Sequence, residues 1–320
     1  MKILITGGAG FIGFHVAKAL LERGDEIVIV DNLNDYYDVQ LKKDRLKQIK
    51  DNVKFYQIDI SEYKNLKRIF QENKFDRVCH LAAQAGVRYS LINPFAYHQT
   101  NNLGTLNILE LMKEFNVKHL VYASSSSVYG ENKKVPFSVE DKVDKQVSLY
   151  AATKKHNENM AHVYYKLYQI NSFGLRFFTV YGPWGRPDMS YFSFTKSILE
   201  NKPIDVFNNG DHERDFTYIT DIVQGIVKAI DKVEGCELLN LGNNNTVKLM
   251  DYISLIEQNL GKEAQKNYLP MQKGDVHKTF ADIEKTKQIL NWEPKIKIEE
   301  GIRNFINWYK NYYNKTDNHN

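Results

Sequence analysis

A tyrosine and a lysine four residues apart, Tyr150 and Lys154, have the side chains needed to move a proton. Residues at this spacing lie on one face of a helix, so the phenol and the ammonium would face the same space. A buried lysine favours the phenolate and lowers the pKa of the tyrosine, which can then take a proton from an alcohol. Four consecutive serines at 124–127 could hydrogen-bond the same oxygen. This combination indicates hydride removal from a secondary alcohol.

A glycine-rich turn near the N-terminus predicts a site for the hydride acceptor. Glycines at 7, 10 and 13 allow a tight turn, close approach of the backbone to a pyrophosphate, and close packing of helix on strand. The helix that follows presents its N-terminal amides to the phosphates. Asp31 follows Gly13 by 18 residues and could accept both hydroxyls of an adenosine ribose, while its charge would repel a 2′-phosphate. The turn therefore predicts NAD, whose cationic nicotinamide would further lower the pKa of Tyr150.

Asp31 has an alternative role, in which it only caps the turn into residues 32–34. Asp59, at the end of the third predicted strand, is a candidate contact for the adenine edge. The residues predicted to bind NAD in this part of the chain are Gly7, Gly10, Phe11, Ile12, Gly13, Asp31, Asn32, Asp59 and Ile60.

Alternating strands and helices must position these groups. Apolar, β-branched runs predict strands over 2–6, 26–30, 53–58, 77–82, 120–123 and 173–178, and amphipathic patterns predict helices over 11–23, 63–72 and 97–115. Strict alternation indicates an α/β fold, a doubly wound parallel sheet whose ligand crevice lies at the carboxyl ends of the strands. The serine run ends the fifth strand and Tyr150 comes after it in the chain, so both would face this crevice.

A loop dense in glycine and proline at 181–187 marks a change in the second half of the chain. We predict a dinucleotide-binding domain over residues 1–178 and a smaller, mainly substrate-binding domain over 179–320. Some segments of the second domain are expected to return to the first.

Composition excludes several other classes of protein. The 320 residues are 42% hydrophobic and 26% charged, with a formal net charge of +4 and no long basic run, so neither nucleic acid nor a membrane surface is expected as a partner. No stretch approaches the roughly 20 apolar residues that span a bilayer. Two predicted buried thiols, Cys79 and Cys236, and the absence of a signal peptide after Met1 predict a cytoplasmic location. The nine histidines form no close pairs, so no metal is expected.

The glycine turn, Tyr150-x-x-x-Lys154 and the serine run resemble the extended short-chain dehydrogenases/reductases, in their nucleotide-sugar epimerase branch. The resemblance covers nearly the whole chain, including segments 80–83, 101–105 and 214–221. It implies a Rossmann fold, catalysis by Ser125 with Tyr150 and Lys154, and a homodimer formed by helices around 97–115 and 149–168. The further NAD contacts that it implies are Leu81, Ala82, Ala83, Asn101, Tyr150, Lys154 and Phe177.

The same resemblance implies a UDP-sugar as the substrate. The UDP contacts that it implies are Val206, Phe207, Arg214 and Asp275. One position departs from the galactose epimerases, because Gln272-Lys273 stands where they have an arginine.

Members of this superfamily share a first step, oxidation of C4 of the sugar, and differ in the later steps. The 4,6-dehydratases carry an Asp-Glu pair just after the catalytic serine position, and the UDP-glucuronate decarboxylases carry a glutamate there. This chain has Ser126-Ser127 instead. Without a second acid or base the hydride can only return to C4, so the resemblance implies 4-epimerisation.

Residues 176–189, 85–88 and 271–276 are similar to one subgroup, the UDP-glucuronate 4-epimerases. A sugar carboxylate is well bound by a bidentate, permanently charged donor, and Arg186 lies on the loop after the sixth strand. Thr179 and Ser127 could add donors, and Arg88 is the reserve candidate. Such donors would also restrain loss of carbon dioxide from the 4-keto acid.

Two other functions stay open at the level of the sequence. One is a UDP-glucose/UDP-galactose or UDP-N-acetylhexosamine 4-epimerase, which would use the same machinery on a neutral sugar. The other is a non-catalytic NAD-binding regulator, although such proteins generally lose the tyrosine–lysine pair.

Overall fold

The computed structural model describes residues 1–272 and 277–317, with residues 315–317 described by backbone only. In chain order the strands are β1 (Lys2–Thr6), β2 (Glu26–Asp31), β3 (Val53–Gln57), β4 (Arg77–His80), β5 (His119–Ser125), β6 (Asn171–Phe177), β7 (Thr179–Tyr181), β8 (Ile204–Phe207), β9 (Glu213–Arg214), β10 (Phe216–Tyr218), β11 (Cys236–Leu241), β12 (Val247–Lys248) and β13 (Lys266–Leu269). The α-helices are α1 (Phe11–Glu22), α2 (Val39–Lys47), α3 (Tyr63–Glu72), α4 (Tyr89–Ile92), α5 (Pro94–Tyr97), α6 (Gly104–Glu114), α7 (Leu149–Tyr168), α8 (Ser190–Leu199), α9 (Ile219–Lys232), α10 (Leu249–Leu260), α11 (Glu284–Leu290) and α12 (Ile298–Asp317).

Seven strands form one parallel sheet in the order β11-β6-β5-β4-β1-β2-β3. The direction of winding reverses at β1, which lies between β4 and β2. This reversal is the point where doubly wound sheets bind ligands, beyond the carboxyl ends of the strands. The predicted α/β fold and its six strands in the first half are confirmed, with differences of a few residues at their ends.

Helices cover both faces of the sheet because successive strand residues point to opposite sides. Ile3 and Ile5 of β1 belong to one buried cluster, which contains α1 and α9 and continues into the second half of the chain. Leu4, between them, belongs to a second cluster formed with α3, α6 and α7. The sheet therefore separates two cores, and its carboxyl-end edge is left for ligands.

Two parts of this architecture differ from the sequence-based prediction, and a third, the strand β11, is a returning segment of the kind that was expected. The seventh sheet strand, β11, comes from the second half of the chain and pairs with β6. The single helix predicted over 97–115 is divided, because a π-helical turn, His98–Leu103, joins α5 to α6. Helix α2 was not predicted, since more than half of its residues are charged and the apolar pattern is weak.

The second half adds three small two-stranded pairs, β7 with β10, β8 with β13 and β9 with β12, beside α8, α10 and α12. Several of these elements lie next to the carboxyl ends of β5 and β6 and line a large cavity there. In the described parts of the chain, no helix combines the length and apolarity needed to cross a membrane.

Candidate active site

The glycine positions of the turn between β1 and α1 are packed too closely for a side chain. Gly7 has a φ of 73°, and a Cβ there would lie 2.7 Å from the amide nitrogen of Ala82. A Cβ on Gly13 would collide with the carbonyl oxygen of Gly7. Helix α1 begins at Phe11, directly after the turn, so its free amides point at the same space. This is the geometry that lets a backbone approach a pyrophosphate.

Asp31 ends β2 beside this turn, and its carboxylate accepts two backbone amides. Its Oδ1 accepts the amide of Leu33 at 2.9 Å, which caps the following turn. Its Oδ2 accepts the amide of Ala9 at 3.0 Å, which joins the carboxylate to the glycine turn. Burial raises the pKa of Asp31, and these two amide hydrogen bonds work in the opposite direction. A ribose hydroxyl could use the remaining acceptor positions.

A cleft runs from the glycine turn along the carboxyl ends of the strands to Tyr150. Fourteen of the predicted cofactor residues line it: Gly7, Gly10, Phe11, Ile12, Gly13, Asp31, Asn32, Ile60, Leu81, Ala82, Ala83, Tyr150, Lys154 and Phe177. Side chains that the sequence interpretation did not single out also line it, namely Asn34, Tyr36, Tyr37, Lys42 and Gln84. Their closeness in sequence to Asp31 or Ala83 was the signal that could have identified them as cofactor-site residues. Lys42 was not considered because helix α2, which carries it, was not predicted.

Two predicted cofactor residues do not line the cleft. Asn101 is buried in the π-helical turn, where its amide donates to the carbonyl of Gln84 and its oxygen accepts the Gln84 amide. Asp59 accepts hydrogen bonds from Asn32 at 2.8 Å and from Ser61. Both side chains are occupied with holding residues at or beside the cleft, so their predicted direct contact with NAD stays a prediction.

Tyr150 and Lys154 lie on the first turns of α7, which begins after the cap of Ser148 on the amide of Ala151. The Nζ of Lys154 donates to the carbonyl of Ala123 on β5 at 2.8 Å, and burial lowers the Lys154 pKa to about 8. Ser125 ends β5 and is buried. The predicted grouping of tyrosine, lysine and serine at one edge of the sheet is therefore present.

The pKa of Tyr150 shifts opposite to the direction predicted from the sequence. Burial raises it, and a hydrogen bond with the Ser125 hydroxyl lowers it only in part. The protein alone thus holds a protonated phenol at neutral pH. The cationic nicotinamide is the other cause proposed for a lower pKa, and it would act in addition to these protein groups.

A buried ion pair fixes α7 against the sheet one turn beyond Lys154. Glu158 accepts Nε of Arg176 at 2.8 Å and its Nη2 at 3.0 Å. The same carboxylate accepts the hydroxyl of Ser124 at 2.7 Å. Ser124 directly precedes the catalytic candidate Ser125 on β5. The ion pair and its hydrogen bond to Ser124 therefore hold the end of β5 against α7, the helix that carries Tyr150.

A second cavity, of about 920 Å³, opens on the other side of Tyr150. Seven of the predicted substrate residues line it: Arg88, Ser126, Ser127, Thr179, Arg186, Phe207 and Arg214. The two cavities share one set of lining residues, here called the junction, which consists of Tyr36, Ser125, Tyr150, Phe177, Phe178, Arg186 and Met189. A molecule in the second cavity would therefore meet a molecule in the first beside the phenol.

Arg186 reaches the junction in an ion pair that the sequence interpretation missed. Its Nε donates to Oδ1 of Asp188 at 3.0 Å and its Nη2 to Oδ2 at 2.5 Å. The hydroxyl of Tyr36 donates to the same Asp188 oxygen at 3.2 Å. Burial opposes the charge of Arg186, but Asp188 more than compensates and raises its pKa. Asp188 takes Nε–H and one N–H of Nη2, so Nη1 and the second N–H of Nη2 form the edge of the guanidinium that it does not engage.

The other predicted substrate residues that the structure describes do not line the junction. The guanidinium of Arg88 lies 4.9 Å from the ring centre of Phe207, and both residues line the second cavity. Arg214 donates to the carbonyl of His277 at 3.0 Å. Val206 is fully buried and does not line the cavity, although its neighbour Phe207 does. Asp275 lies outside the described residues.

A family model described as GDP-mannose 4,6 dehydratase, one of the extended short-chain dehydrogenases/reductases, matches residues 4–305. The chain belongs to this family. In the described ranges, 1–272 and 277–317, no three metal-ligating side chains are grouped in a way that could hold an ion.

Similar proteins in the family act on UDP-sugars. UDP-glucuronate 4-epimerase of Thermodesulfobacterium geofontis (strain OPF15) is 50% identical over 310 residues, 96% of this chain and 95% of that protein. UDP-glucuronic acid 4-epimerase from Bacillus cereus, solved in complex with UDP-glucuronic acid and NAD, is 35% identical with a TM-score of 0.92, over 98% of this chain and 100% of the other. UDP-glucose 4-epimerase from Thermotoga maritima, solved with UDP-glucose, is 32% identical with a TM-score of 0.90, over 98% and 100% of the two chains. The resemblance to an extended short-chain dehydrogenase/reductase is confirmed.

Proposed function

We propose that this protein is an NAD-dependent UDP-sugar 4-epimerase that interconverts UDP-glucuronate and UDP-galacturonate. The observation that carries the proposal is the junction, where Tyr150 and Arg186 line both cavities. The first cavity has the glycine turn and Asp31 expected of an NAD site, and the second is large enough for a nucleotide sugar. The similarity to UDP-glucuronate 4-epimerases supports the same assignment.

Catalysis begins and ends at the phenol of Tyr150. NAD, when bound, accepts the C4 hydride and later returns it. The phenolate takes the proton of the C4 hydroxyl as the C4–H bond breaks with both electrons, which leaves a 4-keto sugar. Ser125 donates a hydrogen bond to the reacting oxygen, and the Lys154 ammonium favours the phenolate. After the sugar turns over in the second cavity, the hydride returns to the opposite face and Tyr150 returns the proton.

The acidic groups of the second cavity favour epimerisation over elimination. Within the described residues, its acidic lining consists of Asp188, which is paired with Arg186, and Asp205 on β8. Ser126 and Ser127 follow the catalytic serine position, and neither is a base for a C5 proton. The 4-keto intermediate therefore lacks a base for elimination, and reduction back at C4 stays open to it.

Arg186 is the group best placed to bind a sugar carboxylate. It lines the junction, whereas Arg88 lines only the second cavity and stacks on Phe207. The edge of the guanidinium that Asp188 does not engage can form two parallel hydrogen bonds to a carboxylate. Thr179 and Ser127 line the same cavity as additional donors. These contacts would solvate the carboxylate of the β-keto acid and slow its departure as carbon dioxide.

One observation favours a second candidate, a UDP-glucose/UDP-galactose or UDP-N-acetylhexosamine 4-epimerase. Asp188 already neutralises Arg186 at two positions, so the loop does not require a carboxylate from the substrate. A non-catalytic regulator is not favoured, because Tyr150, Lys154 and Ser125 are brought together at the cleft.

We further propose a cytoplasmic homodimer. Exposed apolar side chains lie in both segments where the sequence predicted the dimer contact, namely Leu103, Leu106, Val163 and Leu167. The exposed apolar surface continues onto α4 and α5 with Leu91, Ile92 and Phe95. An extensive exposed apolar surface of this kind is typical of a protein interface.

The proposed division into an NAD-binding domain, 1–178, and a mainly UDP-sugar-binding domain, 179–320, includes the return of β11 to the first domain.

The test is to incubate the purified protein with UDP-glucuronate, with no added coenzyme, and to follow the sugar protons by NMR. Because each cycle restores NAD, bound coenzyme should suffice, and UDP-galacturonate should form without a pentose nucleotide. Turnover of UDP-glucose or UDP-N-acetylglucosamine but not UDP-glucuronate would select the second candidate. Net reduction that depends on fresh NADH or NADPH would instead indicate a ketoreductase.

A further inference from the structure

A buried arginine that neither predicted residue set includes connects the glycine turn to the loop that carries Arg186. Arg45 lies on α2 and is fully buried. Its Nη1 donates to the carbonyl of Ala9, within the glycine turn, at 3.0 Å and to the hydroxyl of Tyr37 at 2.8 Å. Its Nε and Nη2 donate to the carbonyl of Trp184 at 3.1 Å and 2.6 Å, and Nη2 also donates to that of Gly185 at 3.1 Å. One guanidinium therefore holds two loops that are far apart in sequence.

His15 on α1 holds the same loop one residue earlier, at Pro183. His15 on α1 hydrogen-bonds the carbonyl of Pro183 at 3.0 Å, and burial lowers its pKa to about 4, so the neutral ring donates through Nε2. Three consecutive carbonyls, at 183, 184 and 185, thus point at donors from α1 and α2. Trp184 has a φ of 61°, a left-handed conformation that non-glycine residues seldom adopt without such support.

The contacts of Arg45 require a guanidinium. All five hydrogen bonds go to uncharged oxygens, and they spread over three nitrogens in one plane. A lysine ammonium presents a single point and could not reach both loops in the same way. Arg186 follows Gly185 directly, and its own amide donates to the hydroxyl of Tyr191 at 3.2 Å. The backbone of Arg186 is therefore fixed from both sides.

We propose that Arg45 is a positioning residue for sugar recognition, which sets the location of Arg186 relative to the glycine turn without touching the substrate. The inference rests on the proposed function, in which Arg186 binds the sugar carboxylate. It predicts that removing hydrogen bonds of Arg45 weakens recognition of the sugar, while the affinity for the UDP part of the substrate is unchanged. A displacement of about 1 Å at a recognition group is enough to cost about a hundredfold in rate.

The experiment compares wild type with Arg45→Lys in the NAD-loaded protein. We expect the KM for UDP-glucuronate to rise about ten- to a hundredfold, with appearance of a pentose nucleotide, while the inhibition constant of UDP changes less than about twofold. UDP lacks the sugar, so it reports the nucleotide end alone. Lys43→Met, an exposed position on the same helix, is the matched control and should leave both constants unchanged.

Tyr37→Phe serves as a milder variant if Arg45→Lys does not fold, since it removes one of the five hydrogen bonds and should shift KM in the same direction. Equal weakening of UDP-glucuronate and UDP would mean that Arg45 only stabilises the fold and would overturn the inference. An unchanged KM for UDP-glucuronate with normal product would overturn it too. If wild type itself does not turn over UDP-glucuronate, the proposed function fails, which is a separate result.

Discussion

The glycine turn and the loop at 183–188 are the two regions proposed to bind negatively charged groups, a pyrophosphate and a sugar carboxylate, but they are built in different ways. The turn depends on three glycines within seven residues, each needed because a Cβ would meet neighbouring backbone. The loop depends on His15, Tyr36 and Arg45, which lie 168, 152 and 139 residues away from their partners in sequence, and on the nearby Tyr191. A local backbone requirement is visible in sequence, whereas a loop held by distant side chains becomes visible only in the fold.

This difference implies that the two regions can be damaged separately. A change in the turn should affect retention of the coenzyme, and a change in the loop should affect which sugar is accepted. Tyr150 lies at the junction between them, so its loss should stop turnover while leaving both binding regions intact.

Tyr150→Phe should therefore have the largest effect on catalysis. Loss of the phenolic proton acceptor is expected to lower kcat about a hundred- to ten-thousandfold, with NAD still bound and KM little changed. The measurement is UDP-glucuronate turnover by NMR together with coenzyme released on denaturation. Tyr165→Phe, on the same helix, is the control. Substantial residual activity would require another group to move the proton.

Gly13→Ala should damage the coenzyme region alone. The added methyl group would collide with the carbonyl oxygen of Gly7, so the turn must open where the pyrophosphate is expected. We expect at least about a tenfold loss of retained NAD, because a shift of the phosphate-binding amides forfeits several hydrogen bonds. Gly24→Ala provides the comparison, since its φ of 93° imposes strain but its Cβ would meet nothing within 4 Å. Similar coenzyme loss in both variants would show that stability, not the turn, is responsible.

The first half of the chain was largely predictable for the same physical reason. Strand alternation, the glycine turn and Asp31 each follow from backbone geometry expressed over a few residues, and the structure has them where they were expected. The break in the helix at His98–Leu103 was not predictable, because Asn101 within it hydrogen-bonds the backbone of Gln84, 17 residues away in sequence. Helix α2 was missed because burial of Lys42 and Arg45 makes a mostly charged segment part of the interior. The Asp188 partner of Arg186 was missed because spacing alone does not distinguish an ion pair from two solvated charges.

Arg186→Ala should damage the sugar region alone. We expect the KM for UDP-glucuronate to rise by about ten- to a hundredfold, since a charged, bidentate hydrogen-bonded contact is lost, and pentose nucleotide with carbon dioxide to accumulate. Arg186→Lys retains the positive charge but loses the bidentate hydrogen bonding, so its KM for UDP-glucuronate should lie between those of wild type and Arg186→Ala. NAD content should match wild type in both variants. Normal epimerisation by Arg186→Ala without any pentose product would show that the carboxylate is bound elsewhere, with Arg88 the next residue to change.

The smallest effect concerns the pH dependence of stability at Lys154, which lies between the two regions. Burial lowers its pKa to about 8, whereas the unfolded chain holds the same proton up to the ordinary lysine pKa of 10.5. Between these values the unfolded state binds more protons than the folded state, so the free energy of unfolding rises with pH. Wild type should therefore gain stability relative to Lys154→Met from pH 8 to pH 10.5, by on the order of 3 kcal/mol at most. The measurement is denaturant unfolding of both proteins at fixed NAD concentration, because bound coenzyme itself stabilises the folded state. Parallel stability curves over this range would show that Lys154 keeps its proton in the folded protein, and that the ammonium beside Tyr150 is stabilised by more than the carbonyl of Ala123.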